Sequence, residues 1–211
     1  MDRMVELQAE EYFRKGFKVK IFCLDATLKP KHAELEAFGI PKKKILQPIY
    51  KLLFPLNIIR NIKIIRELKD YGTAISHYYP MNFPCFIAKK IYGKKMKYIY
   101  YNYGINYPEL FPSIQERVFL RIFRFLTNRT IRNVDEAVSI SYFLRDVLKR
   151  ETGIPSRIEH CKIDTKRFHL GIDGSSIRKK YGIRNEPVLL FVGRISPHKG
   201  VHLLIEAFNL I

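Results

Sequence analysis

From one end to the other, the chain alternates between short apolar runs and longer stretches of helical period, several of which stop at a glycine. Parallel strands can be joined only by a crossover connection, usually a helix, so this rhythm predicts βαβ units and a mostly parallel sheet. Residues 5–15 carry Val5, Ala9, Tyr12 and Phe13 at helical spacing, with Gly16 as the stop, and residues 18–24 follow as a strand. Helices are expected over 58–71, 84–92, 113–133 and 142–152, and strands over 73–77, 97–101, 136–140 and 157–161. The expected fold is α/β, with a Rossmann-like parallel sheet.

The rhythm breaks between 163 and 187, where Gly171, Gly174, Gly182 and Pro187 accompany one short basic helix near 177–181. Three parts are therefore expected: a domain over 1–162, a connection over 163–187, and the start of a second Rossmann-like domain over 188–211. A helix that precedes the first strand reverses the usual order, so a further strand is expected ahead of Met1. One βα unit after Pro187 cannot bury both of its own faces, because independent domains need at least ~50 residues.

Of 211 residues, 38 are Lys or Arg against 20 Asp or Glu, a formal charge of +18. That excess favours anionic partners, or it simply reflects a composition in which bases are scattered along the chain. Direct nucleic-acid binding is not expected, since no RNP, zinc-finger or helix-turn-helix signature occurs. No apolar run approaches the ~18–20 residues that span a bilayer, and the acidic N-terminus is unlike a secretory signal. Cys23, Cys85 and Cys161 lie far apart with no CxxC or Cys/His pairing, as expected of reduced, buried thiols in a cytoplasmic protein.

Chemistry concentrates near the end. Gly193-Arg194 and Lys199-Gly200 bracket a turn between an expected buried strand and a helix that starts near Lys199. Gly193 lets backbone approach a ligand, Arg194 offers a planar fork to phosphate oxygens, and Lys199 adds a point charge. The helix N-terminus adds roughly half a positive charge beside them. Ordinary surface turns also contain these dipeptides. On the other side, His77 ends a strand and Asn102, Tyr103 and Gly104 follow the next, at the carboxyl edge where open α/β sheets bind ligands. His77 is equally readable as a plain loop histidine. Ser141 reads best as a helix cap. The helix over 113–133 carries Arg117, Arg121 and Arg124 beside Val118, Phe119 and Ile122; it is either a core helix with a solvated arginine stripe or a surface for anionic membrane.

The stretch Phe191-Val-Gly-Arg-Ile-Ser-Pro-His-Lys-Gly-Val-His-Leu-Leu-Ile-Glu-Ala-Phe208 resembles the donor-domain opening of the retaining GT-B glycosyltransferases of family 4. Lys162-Ile-Asp-Thr-Lys-Arg-Phe168 is similar to that family's interdomain signature. Tyr12-Phe-Arg-Lys-Gly-Phe-Lys-Val-Lys-Ile-Phe22 and Val138-Ser-Ile-Ser-Tyr-Phe-Leu-Arg-Asp-Val-Leu148 resemble its first helix with the following strand, and a later strand-to-helix element. The matches run in family order across nearly the whole chain.

This resemblance implies a two-domain enzyme that moves a sugar from a nucleotide-diphospho-sugar to a glycan or lipid-linked acceptor. The nucleotide sugar is a substrate, and no cofactor is implied. Arg194 and Lys199 match the pair that stabilises the departing diphosphate, with Gly193 and Gly200 beside them. No Asp-x-Asp pair suited to a divalent ion occurs, so metal-independent chemistry is expected. The family often has a histidine before the glycine matching Gly104, where this chain has Tyr103. The family's glycine-rich loop and its Glu-x7-Glu element would fall outside Met1 and Ile211. The expectation is thus a truncated or split enzyme, inactive alone unless a separate chain completes the second domain. A cytoplasmic location follows, with a peripheral position on the inner membrane face left open. The alternative is a non-catalytic basic α/β fragment that binds partners or anionic surfaces.

Overall fold

In the computed structural model, residues 2–26, 29–161, 163 and 165–210 are described. Among the described residues six strands form, and every pairing among them is parallel. Helix α1 (Asp2–Arg14) leads into β1 (Lys20–Cys23), which pairs with β2 (Glu34–Ala37). Helices α2 (Gln47–Leu52) and α3 (Ile58–Leu68) follow. The second sheet has the order β3 (Thr73–Ser76), β4 (Lys97–Asn102), β5 (Glu136–Ser139), β6 (Arg157–Ile158). Its crossovers contain α4 (Asn82–Tyr92), α5 (Ile114–Thr130) and α6 (Tyr142–Thr152). Beyond it come the short basic α7 (Ser175–Lys180) and α8 (Val201–Phe208).

Strand β4 is central and buried from Tyr98 onward, as expected of a parallel strand covered on both faces. Its side chains alternate between two environments. On the helical face, Tyr98 joins Leu24, Phe54, Ile64, Leu68 and Cys85, while Tyr100 packs with Ile131, Ala137 and Leu148. On the opposite face, Ile99 and Tyr101 pack with Val138, Ile75 and Tyr103. Burial pushes the Cys85 thiol up to about 12, which keeps it an inert apolar group. Cys161, by contrast, is exposed.

The strand β2 (Glu-Leu-Glu-Ala) has no strand-forming composition and was not anticipated. Charge holds it: Glu34 opposes Lys18 at 3.5 Å, and Glu36 meets Lys20 at 3.3 Å and Lys63 of α3 at 2.6 Å. Lys63 and Lys20 hold the Glu36 carboxyl below its usual range, although burial acts the other way.

Two expectations fail. The strand expected from Val188 does not form: residues 188–192 are exposed, Val192 at 84%, and none of them pairs with another strand. A strand stabilises itself only through a neighbouring ladder, and no described residue supplies one. The strand expected over 157–161 shrinks to Arg157–Ile158, the length over which β6 pairs with β5. Lys162 and Asp164 of the interdomain signature lie outside the described residues.

Helix α3 makes a direct comparison possible, because Ile64 is buried in the core and Ile59 is exposed on the same helix. Ile64→Ala is expected to cost about 2–5 kcal/mol in urea denaturation. Ile59→Ala should stay within about 0.5 kcal/mol.

Candidate functional site

Parallel strands discharge their carboxyl ends along one edge, so the loops after β3, β4 and β5 collect there. His77 follows β3 directly. Its ring lies against Tyr101 and Tyr103, with centroids 5.7 and 5.3 Å away, and those two tyrosines stack at 5.9 Å. The residue retains some solvent contact, but Nδ1 is shut off from water and has no hydrogen-bond partner. Burial lowers the pKa of His77 to about 4. The imidazole is therefore neutral at pH 7, with one ring nitrogen to donate and one to accept. Tyr103 is pushed up to about 12, first by burial and then by neighbours that include Cys161 and Glu159, so its hydroxyl stays protonated.

Asn102 takes a different role. Its Nδ2 donates to the carbonyl of Leu144 at 3.2 Å and so ties the end of β4 to the first turn of α6. Ser141 caps that helix, its Oγ accepting from the Leu144 N–H at 3.3 Å. Gly104 stands in the loop beside Tyr78; an added Cβ would meet the Tyr78 hydroxyl at an ordinary 3.5 Å. Asn102 and Gly104 line a cleft with Tyr78, Asn106, Asn128 and Glu151. Arg124 Nε donates to Glu151 at 2.8 Å, and Asn128 adds a bond of 3.2 Å.

The basic turn is built from a short 3-10 segment, Pro197–Lys199, ended by Gly200 in the left-handed region at φ 69. Helix α8 then starts at Val201, so Lys199 belongs to the 3-10 turn and not to the α-helix. Gly200 is the position where a side chain would be strained. Gly193 answers to a neighbour: an added Cβ would come 3.0 Å from the Phe191 ring. Arg194 and Lys199 are exposed, and neither forms an ion pair among the described residues.

His198, which sequence reasoning passed over, links the two regions. Its ring stacks on Phe111 at 5.0 Å, in the loop after β4. The stack joins residues far apart in the chain, so no local pattern reveals it. The cationic turn thus sits against the loop that leaves the carboxyl edge, although no hydrogen bond, ion pair or ring contact joins Arg194 or Lys199 to His77, Asn102, Tyr103 or Gly104 among the described residues. Glu159 was also missed; it accepts from the Tyr101 hydroxyl at 3.4 Å and from Arg157 at 2.6 Å. Among the described residues, no group of three or more His, Cys, Asp or Glu gathers as a metal site.

Comparison with known proteins adds to this geometry. The model of Glycosyltransferase Family 4 matches residues 1–167, and that of Glycosyl transferases group 1 matches residues 173–211. A Bacillus subtilis (strain 168) protein named "Putative glycosyltransferase YtcC" is 33% identical over 94 residues, which are 37% of this chain and 22% of that protein. Alpha-D-kanosaminyltransferase of Streptomyces kanamyceticus is 27% identical over 100 residues, 45% of this chain and 26% of that protein. The crystal structure of Anabaena Alr3699/HepE in complex with UDP superposes with a TM-score of 0.65 at 18% identity, covering 98% of this chain and 53% of that one. The matches thus span about a quarter of the two curated relatives and about half of the structural neighbour.

The unpartnered imidazole gives a pH signature. A lowered folded pKa means that the unfolded chain binds the extra proton first, so His77 destabilises the fold as pH falls from 6.5 towards 4 and is silent above that window. In histidine NMR titrations, one resonance should show a midpoint near 4 and vanish in His77→Gln. A midpoint near 6.5 would mean that the ring is solvated.

Proposed function

The chain belongs to glycosyltransferase family 4, and from that premise we propose that it takes part in metal-independent, retaining transfer of a sugar from a nucleotide-diphospho-sugar to a glycan or lipid-linked acceptor. The observation that carries this reading is the His198–Phe111 stack, which holds a turn with two unpaired cations against the loop leaving the carboxyl edge of the sheet.

The chemistry asks for such an arrangement. Breaking a glycosyl–phosphate bond leaves negative charge on the diphosphate and an oxocarbenium-like sugar. Cations at the departing oxygens stabilise that charge. Arg194 contributes a planar fork and Lys199 a compact charge, and the free N–H groups at the start of α8 add to both. The acceptor lies along the carboxyl edge, with the neutral His77 and the protonated Tyr103 as its hydrogen-bonding groups and the cleft beside Asn102 and Gly104 as its approach. UDP, present in the Anabaena structure, is the first nucleotide to test.

Titration calorimetry of the 211-residue chain with UDP, GDP and dTDP tests the donor site. At least one nucleotide is expected to bind, and Arg194→Ala or Lys199→Ala should weaken it about 10–100-fold, the worth of a charge-assisted hydrogen bond. Chelation by EDTA should change nothing. In sugar transfer by an enzyme with a completed second domain, either substitution should lower the rate about 10²–10³-fold. No nucleotide binding at all, or equal affinity in both variants, would contradict the assignment.

A further inference from the structure

From residue 37 to 66 the chain contains seven Lys and Arg and not one acidic residue. The same stretch carries eight exposed large apolar residues. Ile45 is 78% and Ile59 84% exposed, with Ile49, Leu53 and Leu56 between them. On α3 the inward side is Asn61, Ile64 and Leu68, while Ile58, Ile59 and Ile62 share the opposite flank.

Helix α2 packs beside α5, which extends this surface. The outward stripe of α5 is Ile114, Val118, Ile122 and Phe125, the last 67% exposed, at the spacing of one helix face. The arginines suggested by sequence are engaged elsewhere. Arg124 binds Glu151, Arg117 Nε donates to the Phe111 carbonyl at 2.6 Å, and Arg121 lies 3.6 Å from Glu109. The free cations are at the other end: Lys42, Lys43 and Lys44 are exposed and form no ion pair among the described residues.

We propose that this α2–α3–α5 surface docks onto an anionic lipid bilayer, with its isoleucines and leucines in the headgroup–acyl boundary and Lys42, Lys43 and Lys44 at the phosphates. Charge decides the occupant. A broad apolar face rimmed by unpaired lysines has the composition of an interfacial amphipathic surface. A two-fold contact with a second copy would set basic rim against basic rim in a chain of formal charge +18. Among the described residues no helix is long and apolar enough to cross a membrane. The inference goes beyond the glycosyl-transfer reading and rests on different residues.

Cosedimentation without nucleotide tests it independently of the donor site. The probes are vesicles of phosphatidylcholine alone and vesicles containing about a third phosphatidylglycerol. The chain should bind only the anionic vesicles, and less at high salt. Replacing Lys42, Lys43 and Lys44 with Gln should weaken binding roughly a hundredfold, about fivefold per lysine. Ile59→Asp should abolish it, whereas Val192→Asp, on the exposed apolar C-terminal stretch, should leave it unchanged; circular dichroism confirms that each variant is folded. The proposal is overturned if anionic vesicles are not bound, if Val192→Asp is as damaging as Ile59→Asp, or if ultracentrifugation finds a dimer that Ile59→Asp dissolves.

Discussion

Every strand pairing among the described residues is parallel, and the positions of His77, Asn102, Tyr103 and Gly104 follow from that constraint. A parallel ladder sends the end of each strand to the same edge, however far apart the strands lie in sequence. It also buries the central strand on both faces, so β4 needs large apolar side chains on each. Tyr98 and Tyr100 fill one face, and Ile99 and Tyr101 the other. The same alternation continues past the strand end to Tyr103, which stays on the face of Tyr101 and stacks with it, and the His77 ring lies against both. Packing in the core thus sets the protonation state of the histidine at the edge.

The basic turn is positioned by a weaker device. Residues 188–192 have no ladder, and α8 buries little of its apolar surface. The described contact that bears on the cleft is one ring stack between His198 and Phe111. A pair of rings contributes about 0.5–1.5 kcal/mol beyond its buried area, enough to bias the turn and not enough to lock it. If the turn binds a diphosphate as proposed, a contact of this strength lets it yield when product leaves.

Legibility in the sequence followed the physics of each element. The central strand was readable because tyrosine and isoleucine at Tyr98–Tyr101 suit a pleated, buried surface, and α6 because Ser141 and Gly153 mark its two ends. Strand β2 was invisible: Glu34 and Glu36 are held by Lys18, Lys20 and Lys63, and such pairing has no local signature. The run from Val188 showed the converse error, since apolar composition signals a strand only if something pairs with it. Asn102 ends β4, but its amide is spent on the Leu144 carbonyl. His198 and the outward apolar stripe of α5 needed the tertiary fold to become visible.

The proposed function requires the cationic turn and the carboxyl-edge loop to form one nucleotide-binding region. Hydrogen–deuterium exchange with and without UDP reads both at once. Exchange is expected to slow in 193–201 together with 102–111 when the nucleotide binds. Protection confined to either segment, or appearing only elsewhere in the fold, would contradict it.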